Sequence, residues 1–245
     1  MNRTTSATYS ENVKASHRKN SEHVSEHKDL LGMPGQDTQR CVIIGGADIG
    51  RPERIRRYVR RDDYIVCCDS GLRHMEALGV QPDLIVGDFD SHGRPNLPIE
   101  TIVLPCEKDD TDTVFAVKEC LRRGFDEYVL LGVMGGRMDH ALCNISILFM
   151  LESEHKRAMA ADDYSEYMVA GHDTVFVADR YPFFSLLSLA GTARGITIRN
   201  AKYPLENAEI TPDYQYGVSN EVLPGRTAEI TVTDGRLLVI ADLDR

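Results

Sequence analysis

Four carboxylates occur in two close pairs, each beside a predicted strand or helix. Asp88 and Asp90 follow a strand-like run (DLIVG) and project to one face if that geometry persists, with their Cα atoms about 7 Å apart. Asp109 and Asp112 are three apart at a helix start, where they share a face and the helix dipole favours carboxylates. Four acids at one sheet edge repel each other unless a cation compensates, and oxygen ligands select hard cations. The pattern predicts Mg²⁺ with a polyphosphate.

Paired glycines form the second chemical feature of the sequence. Gly45 and Gly46 end the first strand-like run, and Gly135 and Gly136 precede Arg137 at the start of a long helix. Glycines let backbone N–H groups approach phosphate oxygens, and a helix start presents positive charge. Neither G-x-G-x-x-G nor G-x-x-x-x-G-K-[ST] is present, so neither common nucleotide loop is supported.

Further polar residues end other predicted strands or open helices. A single Asp at such a position is more often a turn or cap residue, but the set as a whole favours a ligand site. Lys108 and Arg137 can stabilise charge on a transferred group. The remaining candidates are Asp69, Ser70, Thr111, Asp139, His140 and Asn144.

Short β-branched runs alternate with helical patterns between residues 40 and 151. The predicted strands are 41–46, 64–69, 83–88, 101–104 and 127–133, and the predicted helices are 51–61, 70–78, 111–123 and 138–151. Such alternation predicts a parallel sheet with helices on both faces. Ligands of these sheets collect beyond the carboxyl ends of the strands, where the candidate residues stand.

After about residue 165 the helical pattern disappears. The predicted strands are 174–178, 184–189, 195–199, 228–233 and 237–241, which together predict an antiparallel sandwich or barrel. Asp234 and Gly235, between the last two strands, are typical of a β-hairpin turn. The sequence thus predicts an α/β domain (39–165) and a smaller all-β, sandwich-like domain (166–245), after a polar, disordered tail (1–38).

Composition excludes several classes of protein. The chain of 245 residues has 28 Lys plus Arg against 38 Asp plus Glu, and a formal charge of −10 has the wrong sign for a nucleic-acid binder. No apolar run is long enough for a membrane span or a signal peptide, which predicts a cytoplasmic protein with no membrane partner. The six cysteines lack C-x-x-C spacing and are expected to be reduced, buried thiols.

Three ordered motifs resemble those of the thiamine pyrophosphokinase (thiamin diphosphokinase) family. They are PDLIVGDFDS at 82–91, KDDTD at 108–112, and GGRMDH at 135–140 with Asn144 one turn later. Downstream, KYPL at 202–205 and GVSNE at 217–221 are similar to that family's thiamine-domain motifs. Order and spacing fit across about residues 40–243.

The resemblance implies an enzyme that transfers pyrophosphate from ATP to thiamine and releases AMP. It also implies an α/β catalytic domain, a β-sandwich domain and a homodimer whose thiamine sites lie between subunits. By similarity, Asp88, Asp90 and Asp112 would hold Mg-ATP, and Ser219 and Asn220 would face the thiamine pyrimidine. The residues implied around the phosphates are Asp69, Lys108, Asp109, Arg137 and Asp139.

The chain departs from the family pattern at two points. Some members stack the pyrimidine on a tryptophan, and this chain has none, so either an aromatic such as Tyr203 or Tyr216 replaces it or the contact is missing. Glu107 stands where the family usually has the first acid of an Asp-Lys-Asp run, which preserves charge.

The expected reaction is an in-line attack of the thiamine hydroxyl on the β-phosphorus of ATP, with a carboxylate that the sequence does not identify as proton acceptor. Two alternatives stay open. One is a Mg²⁺-dependent phosphatase with Asp88 and Asp90 as its nucleophile pair. The other is a sensor that binds nucleotide or thiamine without turnover.

Overall fold

The computed structural model describes residues 38–90 and 96–243, so the predicted tail lies outside the described residues except for Thr38. Two 3₁₀ turns, Arg56–Tyr58 and Asp69–His74, lie in the first half of the chain. The elements of the first half are β1 (Arg40–Ile44), α1 (Pro52–Ile55), β2 (Tyr64–Cys68), α2 (Met75–Leu78), β3 (Leu84–Gly87), β4 (Glu100–Val103), α3 (Asp112–Arg123), β5 (Glu127–Leu131), α4 (Met138–Ser153) and β6 (Arg157–Ala161).

The second half contains strands only. Its elements are β7 (Ser165–Ala170), β8 (Val175–Ala178), β9 (Phe184–Leu187), β10 (Ala193–Arg199), β11 (Leu205–Ile210), β12 (Gly217–Asn220), β13 (Thr227–Thr231) and β14 (Leu237–Asp242).

One ten-stranded sheet runs through both halves, in the order β12-β9-β14-β7-β6-β5-β1-β2-β3-β4. Strands β1 to β6 are parallel, and β7, β14, β9 and β12 extend the sheet with antiparallel pairings. A second, four-stranded antiparallel sheet has the order β11-β10-β13-β8. The predicted class, a parallel α/β half followed by a smaller all-β half, is confirmed. The domain limits at residue 165 stay a prediction, because strands from both sides of it share one sheet.

The strand order contains a switch point between β1 and β5. From β1 the chain adds β2, β3 and β4 on one side, and then returns to place β5 and β6 on the other. The loops that leave β1 and β5 therefore diverge, which opens a crevice at the carboxyl ends of these strands. This crevice positions the candidate site.

Two apolar cores cover the two faces of the large sheet. Successive residues of β1 point to opposite faces, so Cys41 and Ile43 join one core, and Val42 and Ile44 join the other. Helices α3 and α4 cover the first face, whereas α1, α2 and the small sheet cover the second. Because β1 is buried on both sides, its sequence is a continuous apolar run rather than an alternating one.

The predicted hairpin at Asp234 and Gly235 is wrong. Strand β13 pairs with β8 and β10 in the small sheet, whereas β14 pairs with β7 and β9 in the large one. The turn therefore carries the chain from one sheet to the other. Local turn chemistry fits both connections, and only the burial of β14 between two strands of the large sheet decides between them.

Four strands that the sequence analysis missed are β6, β7, β11 and β12. The first two are rich in Ala, Met and Glu, which favour helices, and become strands by pairing beside β5 and β14. The other two are largely exposed edge strands without apolar alternation.

The predicted helices 51–61 and 70–78 are shorter than expected and partly 3₁₀. Gly79 ends α2 in the left-handed conformation (φ 68°). None of the described helices is long and apolar enough to cross a bilayer. All six cysteines are free, and four are buried, but Cys106 is exposed and Cys143 half-buried. The cytoplasmic location stays a prediction.

Candidate active site

A cleft of about 440 Å³ opens at the switch point, between the loops that follow β1, β2 and β5. It brings together eleven residues that the sequence predicted from separate segments. They are Gly45, Gly46, Asp69, Ser70, Thr111, Asp112, Gly135, Gly136, Arg137, His140 and Asn144.

The glycines after β1 are required by close packing between loops. The N–H groups of Gly45 and Ala47 donate to the carbonyls of Leu131 and Gly132, both at 2.8 Å, so they tie this loop to the end of β5. A Cβ atom at Gly45 would lie 2.7 Å from the Gly132 oxygen. The Gly45 amide thus already donates to a carbonyl of the protein, and its expected contact with ATP stays a prediction.

Lys108 joins two of the predicted metal ligands. Its Nζ lies 2.5 Å from Asp88 Oδ2 and 2.9 Å from Asp112 Oδ1. The hydrogen bond from Lys108 lowers the pKa of Asp88. Burial raises the pKa of Asp112 despite the same lysine, and the charges of Asp88 and Asp69 raise it further. The three side chains are mostly buried, so this charge cluster lies against the cleft rather than in open solvent.

Asp69 adds a third carboxylate to this cluster. Its Oδ1 atom is buried and has no hydrogen-bond partner, and its backbone is in the left-handed region at φ 38°. Strain of this kind at a non-glycine residue is typical of functional sites. Lys108 pairs with Asp88 and Asp112, and Asp69 is near enough to Asp112 for its charge to raise the pKa of that carboxyl, so the four side chains together carry a formal charge of −2. This donor set fits a hard divalent cation.

The expected trio of Asp88, Asp90 and Asp112 is not assembled as such. Asp90 is exposed, and its backbone N–H lies 3.4 Å from Asp88 Oδ1. Asp109 is also exposed. Within residues 38–90 and 96–243, no three His, Cys, Asp or Glu side chains are arranged to hold a metal ion. The metal roles of these residues stay predictions.

The loop after β5 forms the opposite wall of the cleft. Gly135 and Gly136 adopt left-handed conformations (φ 99° and 68°) that turn the chain into α4. Arg137 Nη2 lies 2.5 Å from Asp139 Oδ2, and this hydrogen bond lowers the pKa of Asp139 to about 2. Both side chains are exposed, so a ligand phosphate can exchange with Asp139 for the guanidinium at little cost.

His140 and Asn144 follow on the first turns of α4. His140 is exposed and lines the cleft. Asn144 is buried, and its Nδ2 donates to the Val133 carbonyl at 2.7 Å. Asn144 therefore holds the loop after β5 in place, and its contact with ATP stays a prediction.

The residues expected to bind thiamine lie at the other end of the large sheet. Asn220 is buried, and its Oδ1 and Nδ2 atoms bond the N–H and carbonyl of Tyr203 at 3.0 and 2.8 Å. Ser219, beside it, has a left-handed backbone (φ 59°), and the Tyr203 ring is exposed. Because β12 is six strands from β1, these residues lie about 29 Å along the sheet from the cleft of the same chain.

Sequence reasoning missed two residues of the turn after β2. Arg73 lines the cleft and donates to the Gly46 carbonyl, and His74 Nε2 lies 2.8 Å from the Ala47 carbonyl. Burial lowers the pKa of His74, which favours the neutral ring. The available signal was the adjacent Arg and His four and five residues after the strand-ending Asp69, within a predicted helix.

Two family models match the chain in order. One is the thiamin pyrophosphokinase catalytic domain, over residues 55–160, and the other is the thiamin pyrophosphokinase vitamin B1 binding domain, over residues 174–237. The chain belongs to the thiamin pyrophosphokinase family. The predicted family, function and enzyme class are thereby confirmed, and nothing in these matches favours the phosphatase or the sensor.

Individual relatives agree with the family models. Thiamine pyrophosphokinase of Bacillus subtilis (strain 168) is 27% identical over 211 residues, which cover 83% of this chain and 98% of that protein. Thiamine pyrophosphokinase 1 of Oryza sativa subsp. japonica is 28% identical over 168 residues, 62% of each protein.

Solved structures of the family have the same fold. The crystal structure of thiamin pyrophosphokinase from Geobacillus thermodenitrificans is 26% identical, with a TM-score of 0.70 over 84% of this chain and 98% of that one. The Bacillus subtilis enzyme aligns over 84% of this chain and 100% of that one at 22% identity, and its TM-score of 0.74 shows the shared fold.

Proposed function

We propose that this chain transfers the pyrophosphoryl group of ATP to the hydroxyl group of thiamine, with Mg²⁺, at the cleft between β1 and β5. The observation that carries the proposal is the pairing of Asp88 and Asp112 on Lys108, with Asp69 close enough to raise the pKa of Asp112, at the switch point of a chain that matches both family models. Such crevices bind nucleotides in open α/β sheets.

Asp69, Asp88 and Asp112 would hold the cation, with Asp90 at the rim. A bound Mg²⁺ ion neutralises and orients a polyphosphate. The ammonium group of Lys108, now on Asp88 and Asp112, is then free to contact the transferred group. Arg137 lies across the cleft, where its guanidinium and the first amides of α4 can stabilise negative charge on phosphate oxygens.

The reaction forms one bond and breaks another. The thiamine hydroxyl oxygen attacks the β-phosphorus, the bond from that phosphorus to the α,β-bridging oxygen breaks, and AMP leaves with the electron pair. The hydroxyl proton passes to a carboxylate or to solvent. The chain's own part is positioning and charge stabilisation.

The strand order supports a homodimer as the working form. In one chain, Tyr203, Ser219 and Asn220 lie about 29 Å from the cleft, too far to hold the acceptor of the same reaction. A second copy related by twofold symmetry can place its β12 region at this cleft. Each active site would then use the cleft of one protomer and the thiamine-binding residues of its partner.

The reaction is tested by incubating the protein with thiamine, ATP and Mg²⁺. The proposal expects thiamine diphosphate and AMP in equal amounts, and expects an Asp112→Asn variant to lose turnover by about 100-fold or more. Free phosphate released without thiamine would favour the phosphatase. ATP binding without AMP formation at saturating thiamine would favour the sensor.

The dimer is tested by complementation. Asp112→Asn disables the cleft and Asn220→Ala weakens thiamine binding, so each variant alone should be nearly inactive at a thiamine concentration far below the raised KM. Mixed and allowed to exchange subunits, they should regain about a quarter of the wild-type activity, because half of the dimers carry one intact composite site. No recovery, with exchange demonstrated by mass-labelled subunits, would contradict a site shared between protomers.

A further inference from the structure

The turn Asp69–His74 holds Arg73 over the loop that follows β1. Gly71 of this turn packs so closely on β1 that a Cβ atom there would lie 2.2 Å from the Ile44 carbonyl oxygen. The turn therefore has no freedom to move toward the strand, and Arg73 lines the cleft together with Asp112. Its side chain is exposed to the cleft and to solvent.

Most of the hydrogen-bond donors of Arg73 remain available. One nitrogen, Nη2, donates to the Gly46 carbonyl. The Nε atom lies 3.3 Å from His74 Nε2, but that ring nitrogen is 2.8 Å from the Ala47 carbonyl. A carbonyl only accepts, so His74 Nε2 carries the proton and is unable to accept from Arg73. The guanidinium is thus anchored at one corner, with its Nε and Nη1 donors unused among the described residues.

Arg73 also differs from the other basic residues of the site in its charge environment. Lys108 is paired with Asp88 and Asp112, and Arg137 is paired with Asp139. In the part of the chain that the structure describes, Arg73 has no carboxylate within salt-bridge distance. Its guanidinium therefore makes no ion pair among the described residues, and an arginine anchored in this way presents a planar array of donors to phosphate oxygens.

We infer that Arg73 binds the phosphate chain of the nucleotide from the side of the β1 loop, opposite Arg137. The inference rests on the proposed function, since it assigns this cleft to a nucleoside triphosphate. It adds a phosphate-binding residue on the turn after β2, which the sequence motifs did not include. Hydrogen bonds to charged groups contribute about 1.5–3 kcal/mol, so loss of Arg73 should weaken ATP binding by about 10- to 100-fold.

The test compares the affinities of ATP with Mg²⁺ and of adenosine, measured by calorimetry without thiamine. The variants are Arg73→Ala, Arg73→Lys and Arg73→Gln, with Arg61→Ala as the control because Arg61 is exposed at the opposite, amino-terminal end of the strands. Arg73→Gln keeps a donor for the Gly46 carbonyl but lacks the charge. Arg73→Gln and Arg73→Ala should weaken ATP binding alike, and Arg73→Lys should retain most of it. The affinity for adenosine should stay unchanged in all three variants.

Three results would overturn the inference. ATP affinity at the wild-type level in Arg73→Gln would show that Arg73 only supports the loop. Equal losses for adenosine and ATP would show a collapsed cleft, and a loss as large in Arg61→Ala would show a nonspecific charge effect. If the wild type forms thiamine diphosphate and Arg73→Gln binds ATP as tightly as the wild type, only the role of Arg73 is refuted. A selective loss of ATP binding without any thiamine diphosphate formation would instead refute only the proposed reaction.

Discussion

Replacement of Lys108 by Met tests the charge cluster on which the proposed site depends. The change removes the ammonium group that lies 2.5 Å from Asp88 and 2.9 Å from Asp112, and leaves their carboxylates beside Asp69 without a counter-charge. One charged hydrogen bond, to Asp88, and one ion pair, to Asp112, are lost in a mostly buried setting, which should cost about 3 kcal/mol of folding free energy. For a chain of this size, about 3 kcal/mol lowers the thermal midpoint by about 6–12 °C at neutral pH.

Mg²⁺ should reverse this loss. Without Lys108 the carboxylates carry more uncompensated negative charge, so Mg²⁺ should bind the variant more tightly than the wild type, and a concentration of about 100 times its Kd adds about 2.7 kcal/mol. Turnover should nevertheless stay about 100-fold or more below the wild type, because the lysine is no longer available to the transferred phosphate. In Lys108→Met, Mg²⁺ is thus expected to restore thermal stability but not turnover.

Thermal unfolding is measured by calorimetry with and without Mg²⁺, and the measurement is repeated at several pH values. Lys118→Met is the matched control, because Lys118 pairs with Asp110 at 2.7 Å but lies on the exposed side of α3. The difference in thermal midpoint between wild type and Lys108→Met should decrease as the pH falls through the acidic range, because the carboxylates become protonated there. Equal stabilisation of both variants by Mg²⁺ would refute a cation site at Asp88 and Asp112.

Three further predictions concern other parts of the structure. Gly71→Ala places a Cβ against the Ile44 carbonyl, so it should cost about 1–3 kcal/mol and weaken ATP binding; unchanged ATP affinity would contradict the packing. Asn220→Ala frees the Tyr203 backbone and should raise the KM for thiamine without changing that for ATP, as steady-state kinetics will show. Hydrogen bonds from arginines lower the pKa of Glu119 to about 2, so its stabilisation is present above the ordinary value of 4.5 and lost as the pH falls toward 2. Glu119→Gln should therefore lower the free energy of unfolding at pH 7 by about 1–2 kcal/mol, and this difference should disappear as the pH falls below 2; a pH-independent difference would contradict this.

The sequence by itself determined the architecture of the first half and the segments that form the cleft. Apolar runs such as that of β1 are long enough to bury a strand on both faces, and their ends are marked by Gly and Asp. Because parallel strands end at the same sheet edge, residues as distant in the chain as Gly45 and Asn144 could be assigned to one site before any contact was known.

Tertiary structure alone decided which of these residues meet, and how. Motif spacing treats Asp88 and Asp90 alike, but the end of β3 turns Asp88 toward Lys108 and leaves Asp90 exposed. Arg73 became part of the cleft only through the packing of Gly71 on Ile44, a contact between segments that no local pattern encodes.

The same distinction holds for the strands of the second half. The turn at Asp234 and Gly235 has hairpin chemistry, yet β13 and β14 enter different sheets because each buries its apolar face against partners far away in the chain. Local sequence sets conformational preference within a few residues, whereas strand pairing and side-chain contact depend on the burial of the whole chain. The spacing of residue types along the chain therefore predicted the kind of site, and long-range packing determined which of those residues meet in it.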